Sequence, residues 1–98
     1  MHVGQYDSWV RHLDRADKQP FRVWIIRGKQ TDDAQLWVAE SQTQHGRLYY
    51  VHYTANRHGE FVACNCRGAQ FGLQCKHSAS VLAAIHPSEF RDLIRSAP

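Results

Sequence analysis

The chain has 98 residues, of which 43% are hydrophobic, and a formal net charge of +3 from 12 lysines and arginines against 9 aspartates and glutamates. This length suits one small domain, residues 1–98, and the hydrophobic content excludes a disordered chain, while the charge is too small to imply nucleic acid by itself. No stretch approaches the roughly 18 apolar residues of a membrane span, and the N-terminus lacks a secretory signal, so we expect a cytoplasmic protein without a membrane partner.

The first predicted element is an amphipathic helix within residues 1–20. An apolar stripe at helical spacing runs over residues 6–17 and comprises Tyr6, Trp9, Val10, Leu13 and Ala16. Pro20 is expected to close this segment. We therefore expect a helix that docks onto the rest of the domain through its apolar stripe.

Four segments rich in β-branched and aromatic residues follow: Phe21–Arg27, Leu36–Glu40, Arg47–Thr54 and Glu60–Cys64. Short polar links, each with one glycine, join them without intervening helices, which favours an antiparallel meander of three or four strands. Within the third segment, alternation separates one set of side chains (Tyr49, Val51, Tyr53) from another (Leu48, Tyr50, His52). Neither set is plainly polar, so either both faces are partly covered or one exposes tyrosines. We favour helices on one face and exposed tyrosines on the other.

Two helices are predicted at the C-terminal end. Over residues 76–86 an apolar stripe is formed by Ser78, Val81, Leu82 and Ile85. Pro87 is expected to stop this helix, and Ser88 to be the N-cap of a last short helix. The residues expected to face inward from that helix are Phe90, Leu93 and Ile94.

All three cysteines lie close together and form, with one histidine, the pattern Cys-x-Cys-x8-Cys-x-His: Cys64, Cys66, Cys75 and His77. In an extended strand end, residues two apart project the same way, so Cys64 and Cys66 can reach one ion. We place Cys75 in the turn before the helix and His77 in its first turn. Three sulfurs and one imidazole suit a closed tetrahedral site, so we predict one structural Zn²⁺ ion.

Two alternatives to a metal site remain. The cysteines could be unrelated buried or free thiols near a chance histidine, or Cys64 and Cys66 could be a redox pair, although Cys-x-x-Cys is the usual redox spacing. An odd number of cysteines in a reducing compartment argues against a disulfide. Between the two pairs, Gly68 and Gly72 are expected to bend the chain, with Phe71 and Leu73 covering the site.

The predicted fold class is therefore α+β. It comprises an N-terminal helix, a small antiparallel β-meander of three or four strands, a strand-strand-helix zinc finger and a short C-terminal helix. The run VACNCRGAQFGLQCKHSASVLAAI resembles the SWIM zinc finger, and the likeness covers about residues 47–86. The chain differs at two packing positions, with Arg67 where many members carry proline and Ser80 where many carry alanine. The resemblance implies zinc binding by the four residues above and an association with DNA binding or protein–protein interaction.

The sequence gives no sign of an enzyme. Four protein ligands leave no open position for a catalytic water, and neither a deaminase signature nor a phosphate-binding glycine loop is present. The paired Asp32 and Asp33 fit a solvated turn. We therefore expect neither catalysis nor a small-molecule substrate.

Two binding functions remain open. DNA could be held by basic residues near the finger, for which the candidates are Arg47, Arg57, Arg67 and Lys76, with bases stacking on Tyr49, Tyr53 or Phe71. These charges could equally be ordinary solvated surface groups. Alternatively, the chain is a protein-interaction adaptor or a small subunit of a larger complex. Its contact surfaces would then be the N-terminal helix, Trp24 or Trp37, and the tyrosine face.

Overall fold

The computed structural model describes residues 1–18, 23–26, 31, 33–40 and 46–96. In chain order the elements are α1 (Asp7–Lys18), β1 (Val23–Ile25), β2 (Ala34–Glu40), β3 (Leu48–Asn56), β4 (Gly59–Cys64), α2 (Arg67–Gln70), α3 (Lys76–Ile85) and α4 (Pro87–Ser96). The strands form one antiparallel sheet in the order β1-β2-β3-β4, which confirms the predicted α+β class and its meander. The predicted strand residues Phe21, Arg22 and Arg27, together with Pro20 and Asp32, lie outside the described residues.

The side chains of β3 alternate between two faces of the sheet, as their sequence pattern predicts. Val51 and Tyr53 are buried and Tyr49 is half-buried, whereas Leu48 and Tyr50 are exposed. The buried set belongs to the hydrophobic core that the helices complete. The prediction of one helix-covered face and one face with exposed tyrosine is therefore confirmed.

Helices α1, α3 and α4 supply the other half of the core. Trp9 from α1, Leu82 from α3 and Phe90 from α4 are almost completely buried against the sheet. Full burial of a leucine or phenylalanine side chain stabilises a fold by about 1.5–3 kcal/mol, so the helices are integral to the domain. The side chains of Ala16 and Ile94, which were also predicted to face inward, lie outside the described part.

The last helix begins two residues earlier than predicted. Pro87 is its first residue, so Ser88 lies inside the helix and is not the N-cap. Proline suits this position because its missing N–H would have no helical partner there and its fixed φ matches the helix. The N–H of Phe90 donates to the carbonyl of His86 (3.2 Å), which makes His86 the residue between α3 and α4.

The N-terminal residues run along the outer edge of β4, which the sequence did not indicate. The Val3 N–H donates to the Glu60 carbonyl (2.8 Å), and the Val62 N–H donates to the Met1 carbonyl (2.9 Å). The indole N–H of Trp9 then donates to the Val3 carbonyl (2.8 Å). This pairing covers an edge strand and fixes the point from which α1 starts.

Candidate metal centre

Four side chains from three consecutive elements meet at one end of the sheet. Cys64 is the last residue of β4, Cys66 directly precedes α2, and Cys75 and His77 lie at the start of α3. Their ligand atoms, three sulfurs and one imidazole nitrogen, all lie within 4.8 Å of one another. The group could therefore hold a single metal ion.

Local backbone geometry explains why the two pairs converge. Cys66 and Cys75 are both extended, with φ/ψ of −74°/164° and −129°/159°, and each stands at the N-cap of a helix. Cys75 thus lies in the turn before α3, and His77 lies in its first turn, as predicted. On a continuous helix, residues two apart would diverge by about 200°, so the extended Cys75 is what allows both side chains to reach one point.

The donors fit one tetrahedral ion in number, chemistry and spacing. Cys66, Cys75 and His77 are buried, with 6%, 8% and 5% of their surface exposed, and Cys64 is half-buried. The sulfur of Cys64 lies 3.9 Å from Nδ1 of His77. Zinc–sulfur bonds of about 2.3 Å and zinc–nitrogen bonds of about 2.0 Å would place the donors roughly 3.5–3.8 Å apart. The four ligand atoms would therefore need to move only slightly closer together to bind such an ion.

Electrostatics favour a negative charge within this group. A hydrogen bond from Cys64 lowers the pKa of Cys75 against the opposing effect of burial, with His77 and Ser78 adding to the lowering. The same bond to Cys75, together with burial, raises the pKa of Cys64. Burial raises the pKa of Cys66. Three closely packed thiols therefore compete for protons, and binding of a cation would release those that remain.

Further residues hold these donors in place. The Ser78 N–H donates to the Cys75 sulfur (3.4 Å), and the Ser78 hydroxyl lies 3.3 Å from that sulfur. The Tyr49 ring packs against the His77 imidazole with 4.5 Å between ring centroids. Such contacts set the orientation of metal ligands in proteins, so β3 and α3 both contribute to the order of the site.

The link between the two pairs differs from the prediction. Gly68 lies within the short helix α2 and does not bend the chain through a positive φ, whereas Gly72 does, with φ of +75°. Phe71 and Leu73 were expected to cover the site, but they point to solvent, with 71% and 61% of their surface exposed. For Phe71 that prediction was wrong, whereas Leu73, although largely exposed, lines a concavity of about 290 Å³ together with Cys64 and Ser78.

Three of the four predicted DNA-binding residues lie beside the metal group. Arg67 follows Cys66 directly and Lys76 follows Cys75, and both line a concavity of about 310 Å³ next to the site. The Arg47 guanidinium lies 5.4 Å from the centroid of the Tyr49 ring, which lines the same concavity. His12 from α1 also lines it, a neighbour that no sequence pattern indicated.

Arg57 is separated from these residues. It lies in the turn between β3 and β4, where its Nε–H donates to His58 (3.3 Å). From Val51, which pairs with Cys64, to Asn56 at this turn, β3 runs roughly 17 Å at about 3.4 Å per residue. The structure thus divides the predicted set into a group of three and one distant arginine.

A second polar cluster lies at the other end of β4 and was missed by the sequence interpretation. The Glu60 carboxylate accepts hydrogen bonds from the hydroxyls of Tyr6 and Tyr53, and Nε2 of His86 lies 2.6 Å from it. Burial opposes the charged carboxylate, but these bonds outweigh it and hold the pKa of Glu60 below its ordinary value. Burial and the bond to Glu60 raise the pKa of both tyrosines.

Comparisons with known proteins identify no relative of this chain. The chain matches no family model, and neither a curated protein nor a solved structure is significantly similar to it. Among the helices that the structure describes, none combines the length and apolar character needed to cross a membrane. The function must therefore be inferred from the site itself.

Proposed function

We propose that this chain is a zinc-stabilised binding module of the SWIM type, which contacts DNA through basic residues beside the metal centre. The observation that carries this proposal is the group Cys64, Cys66, Cys75 and His77, whose donors lie within 4.8 Å of one another. In this interpretation the metal is structural, and the surface around it provides the function.

Zinc is the proposed ion because thiolates and imidazole are its usual ligands in closed structural sites. The ion would be held by the four side chains and would supply a cross-link between the end of β4 and the start of α3. Because α3 carries Leu82 into the core, that cross-link would stabilise the whole domain.

DNA is the proposed partner because positive side chains are fixed around the proposed zinc site. Arg67 and Lys76 each follow a proposed ligand directly, so the ion would fix the backbone from which they project. Arg47 lies over Tyr49, whose ring packs on His77. Three such cations can neutralise neighbouring phosphates, and this kind of contact provides affinity without reading sequence.

Fluorescence anisotropy with labelled DNA, measured at two salt concentrations, tests the proposal. Each phosphate contact contributes a slope of about −0.9 to the dependence of log affinity on log salt for duplex DNA, and about −0.7 for a single strand. Replacing Arg67 or Lys76 by alanine should weaken binding and reduce the slope by about one contact each. Arg57→Ala is the matched control, because Arg57 lies at the far turn, and it should change neither quantity.

Zinc content and thermal stability of each variant must match the wild type, so that a loss of affinity is not a loss of fold. The absence of salt-sensitive binding at micromolar wild-type protein would contradict DNA as the partner.

A second candidate function is protein interaction. The sheet face opposite the helices exposes Leu48 and Tyr50, which supply apolar surface of the kind found in protein interfaces. The stripe of α1 is not available for this role, since Trp9 and Leu13 are buried in the core. Tyr50→Ser should abolish self-association in ultracentrifugation, or capture of a partner from the native host, if this face is the interface. Retention of the partner or of the self-association by this variant would exclude the face.

We also propose that the metal has no catalytic role, since the four donors would fill a tetrahedral shell. Spectroscopy of the cobalt-substituted protein tests this, because a coordinated water in place of one protein ligand would contradict a closed site. The expected cytoplasmic location stays a prediction from the cysteine content and the N-terminal sequence.

A further inference from the structure

The loop between the two ligand pairs exposes apolar side chains to an unusual degree. Phe71 and Leu73 are the two most exposed of the large hydrophobic residues that the structure describes, at 71% and 61%. Leaving a phenylalanine ring in water forgoes the stabilisation that burial provides. An aromatic ring held outward in this way suggests that it meets a ligand.

The backbone holds Phe71 in this position. The Phe71 N–H donates to the Gly68 carbonyl (3.2 Å), and the Leu73 N–H donates to the same carbonyl (3.3 Å). Gly72, with φ of +75°, makes the turn between them. One residue separates each end of this segment, Gly68 and Leu73, from a proposed ligand, so metal binding would hold the loop at both ends.

Of the three aromatic residues predicted to stack on bases, Phe71 is the most exposed. Tyr53 is only 3% exposed, and its hydroxyl donates to Glu60. The Tyr49 ring is already contacted by the Arg47 guanidinium and the His77 imidazole. The structure thus favours Phe71 among the three aromatic residues that the sequence suggested for base stacking.

Cations stand on both sides of this ring along the chain. Arg67 lies four residues before Phe71 and Lys76 five residues after it, and both cations line the concavity beside the metal group. A positive surface that follows the phosphates, together with an aromatic side chain for the bases, is the usual arrangement in proteins that bind single-stranded DNA. An intact duplex hides its base faces in the stack, and exposing them to a ring costs a few kcal/mol per step.

We propose that Phe71 stacks on an unpaired base of single-stranded DNA whose phosphates are held by Arg67 and Lys76. This inference rests on the proposed DNA-binding function and specifies its substrate class. It predicts that the zinc-loaded protein binds a single strand more tightly than a duplex of the same sequence.

Four zinc-loaded proteins test this inference: wild type, Phe71→Leu, Phe71→Tyr and the control Ile25→Thr. Leucine keeps an apolar side chain but has no aromatic face, whereas tyrosine keeps the face. Ile25 is an exposed apolar residue on β1, which two strands separate from β4. Anisotropy with labelled oligothymidylate and with a mixed-sequence duplex gives the affinities, and melting curves confirm equal folding.

Phe71→Leu should weaken single-strand binding by about 5- to 150-fold, the range found when a base–aromatic stack is removed. Phe71→Tyr and Ile25→Thr should bind as the wild type does, and duplex affinity should be equal in all four proteins. Salt-sensitive DNA binding that Phe71→Leu leaves unchanged would overturn the stacking role while preserving the proposed function. No binding to either DNA by the wild type would overturn both, and protein interaction would then be the remaining function.

Discussion

Replacement of Glu60 is a sharp test of how the domain is assembled, because its carboxylate joins separate parts of the fold. Tyr6 lies just before α1, Tyr53 is on β3, and His86 stands between α3 and α4. Tyr53 donates to the carboxylate over 2.5 Å, and Nε2 of His86 lies 2.6 Å from it. The Tyr6 ring also stacks against the rings of His86 and Phe90, with 5.1 Å between ring centroids in each pair. We expect Glu60→Ala to loosen all of these elements together.

The size of the effect follows from the exposure of the partners. Tyr53 is nearly fully buried, and a buried hydroxyl deprived of its partner costs about 1–3 kcal/mol. Tyr6 and His86 are half-buried and regain hydrogen bonds to water, so each should cost less than about 1 kcal/mol. Glu60→Ala should therefore lower the unfolding free energy by about 3 kcal/mol. For a domain of this size that corresponds to a fall in melting temperature of roughly 15 °C.

Denaturant unfolding of zinc-loaded protein, followed by circular dichroism, measures this change. The matched control is Glu89→Ala, because Glu89 is an exposed acidic residue in the first turn of α4 and should change stability by less than about 0.5–1 kcal/mol. Glu60→Gln keeps an acceptor but loses the charge. Since charge-assisted bonds are roughly twice as strong as neutral ones, the stability of Glu60→Gln should lie between those of Glu60→Ala and Glu89→Ala. A Glu60→Ala protein as stable as Glu89→Ala would refute the reasoning.

The same network predicts a pH dependence. The folded-state pKa of Glu60 is lowered, so its contribution is complete above the ordinary glutamate value of about 4.3 and is lost as the pH falls through the lower folded-state pKa. The difference in stability between wild type and Glu60→Gln should thus shrink as the pH falls below about 4.3, the ordinary glutamate value. Taking this difference at equal zinc concentration separates the carboxylate from the metal ligands, which are the same in both proteins.

The remaining predictions concern the metal centre. Cys75→Ser should unfold at least residues 60–86, because zinc binding in structural sites contributes an apparent 10–16 kcal/mol, about as much as the whole stability of a small domain. Hydrogen exchange measures how far the unfolding extends, and amide protection equal to that of the wild type would contradict the prediction. Ser78→Ala should weaken zinc affinity about 10-fold, since Ser78 contacts the Cys75 sulfur through its hydroxyl at 3.3 Å. Competition with a chelator measures this, with Ser80→Ala on the same helix as the control, and equal affinities would exclude the role of the hydroxyl.

The parts of the fold that the sequence predicted are those governed by local periodicity. Alternation along residues 48–53 separated the two faces of β3, and the stripe through Ser78 and Leu82 located the buried side of α3. The convergence of the cysteines was predictable for a similar reason. Two positions two residues apart project together in extended chain, so Cys64 and Cys66 needed only a strand end to meet a second pair.

The parts that escaped prediction depend on contacts between distant residues or on a single turn. Tyr6 and His86 are 54 and 26 positions from Glu60, and no local pattern announces such pairings. The helix α2 has four residues, too few for a hydrophobic period. Phe71 was expected to cover the metal site, yet it is 71% exposed. The turn that follows it depends on a positive φ at Gly72, which a glycine permits but does not dictate.

The most direct test of the central claim is the metal content of the purified protein by native mass spectrometry, before and after chelation and refolding with zinc. A closed Cys3His site predicts one zinc ion per chain in the folded protein, its loss together with the folded charge-state distribution on chelation, and the recovery of both when zinc is returned. A protein that stays folded with all three cysteines metal-free, at neutral pH and in the presence of zinc, would contradict the account.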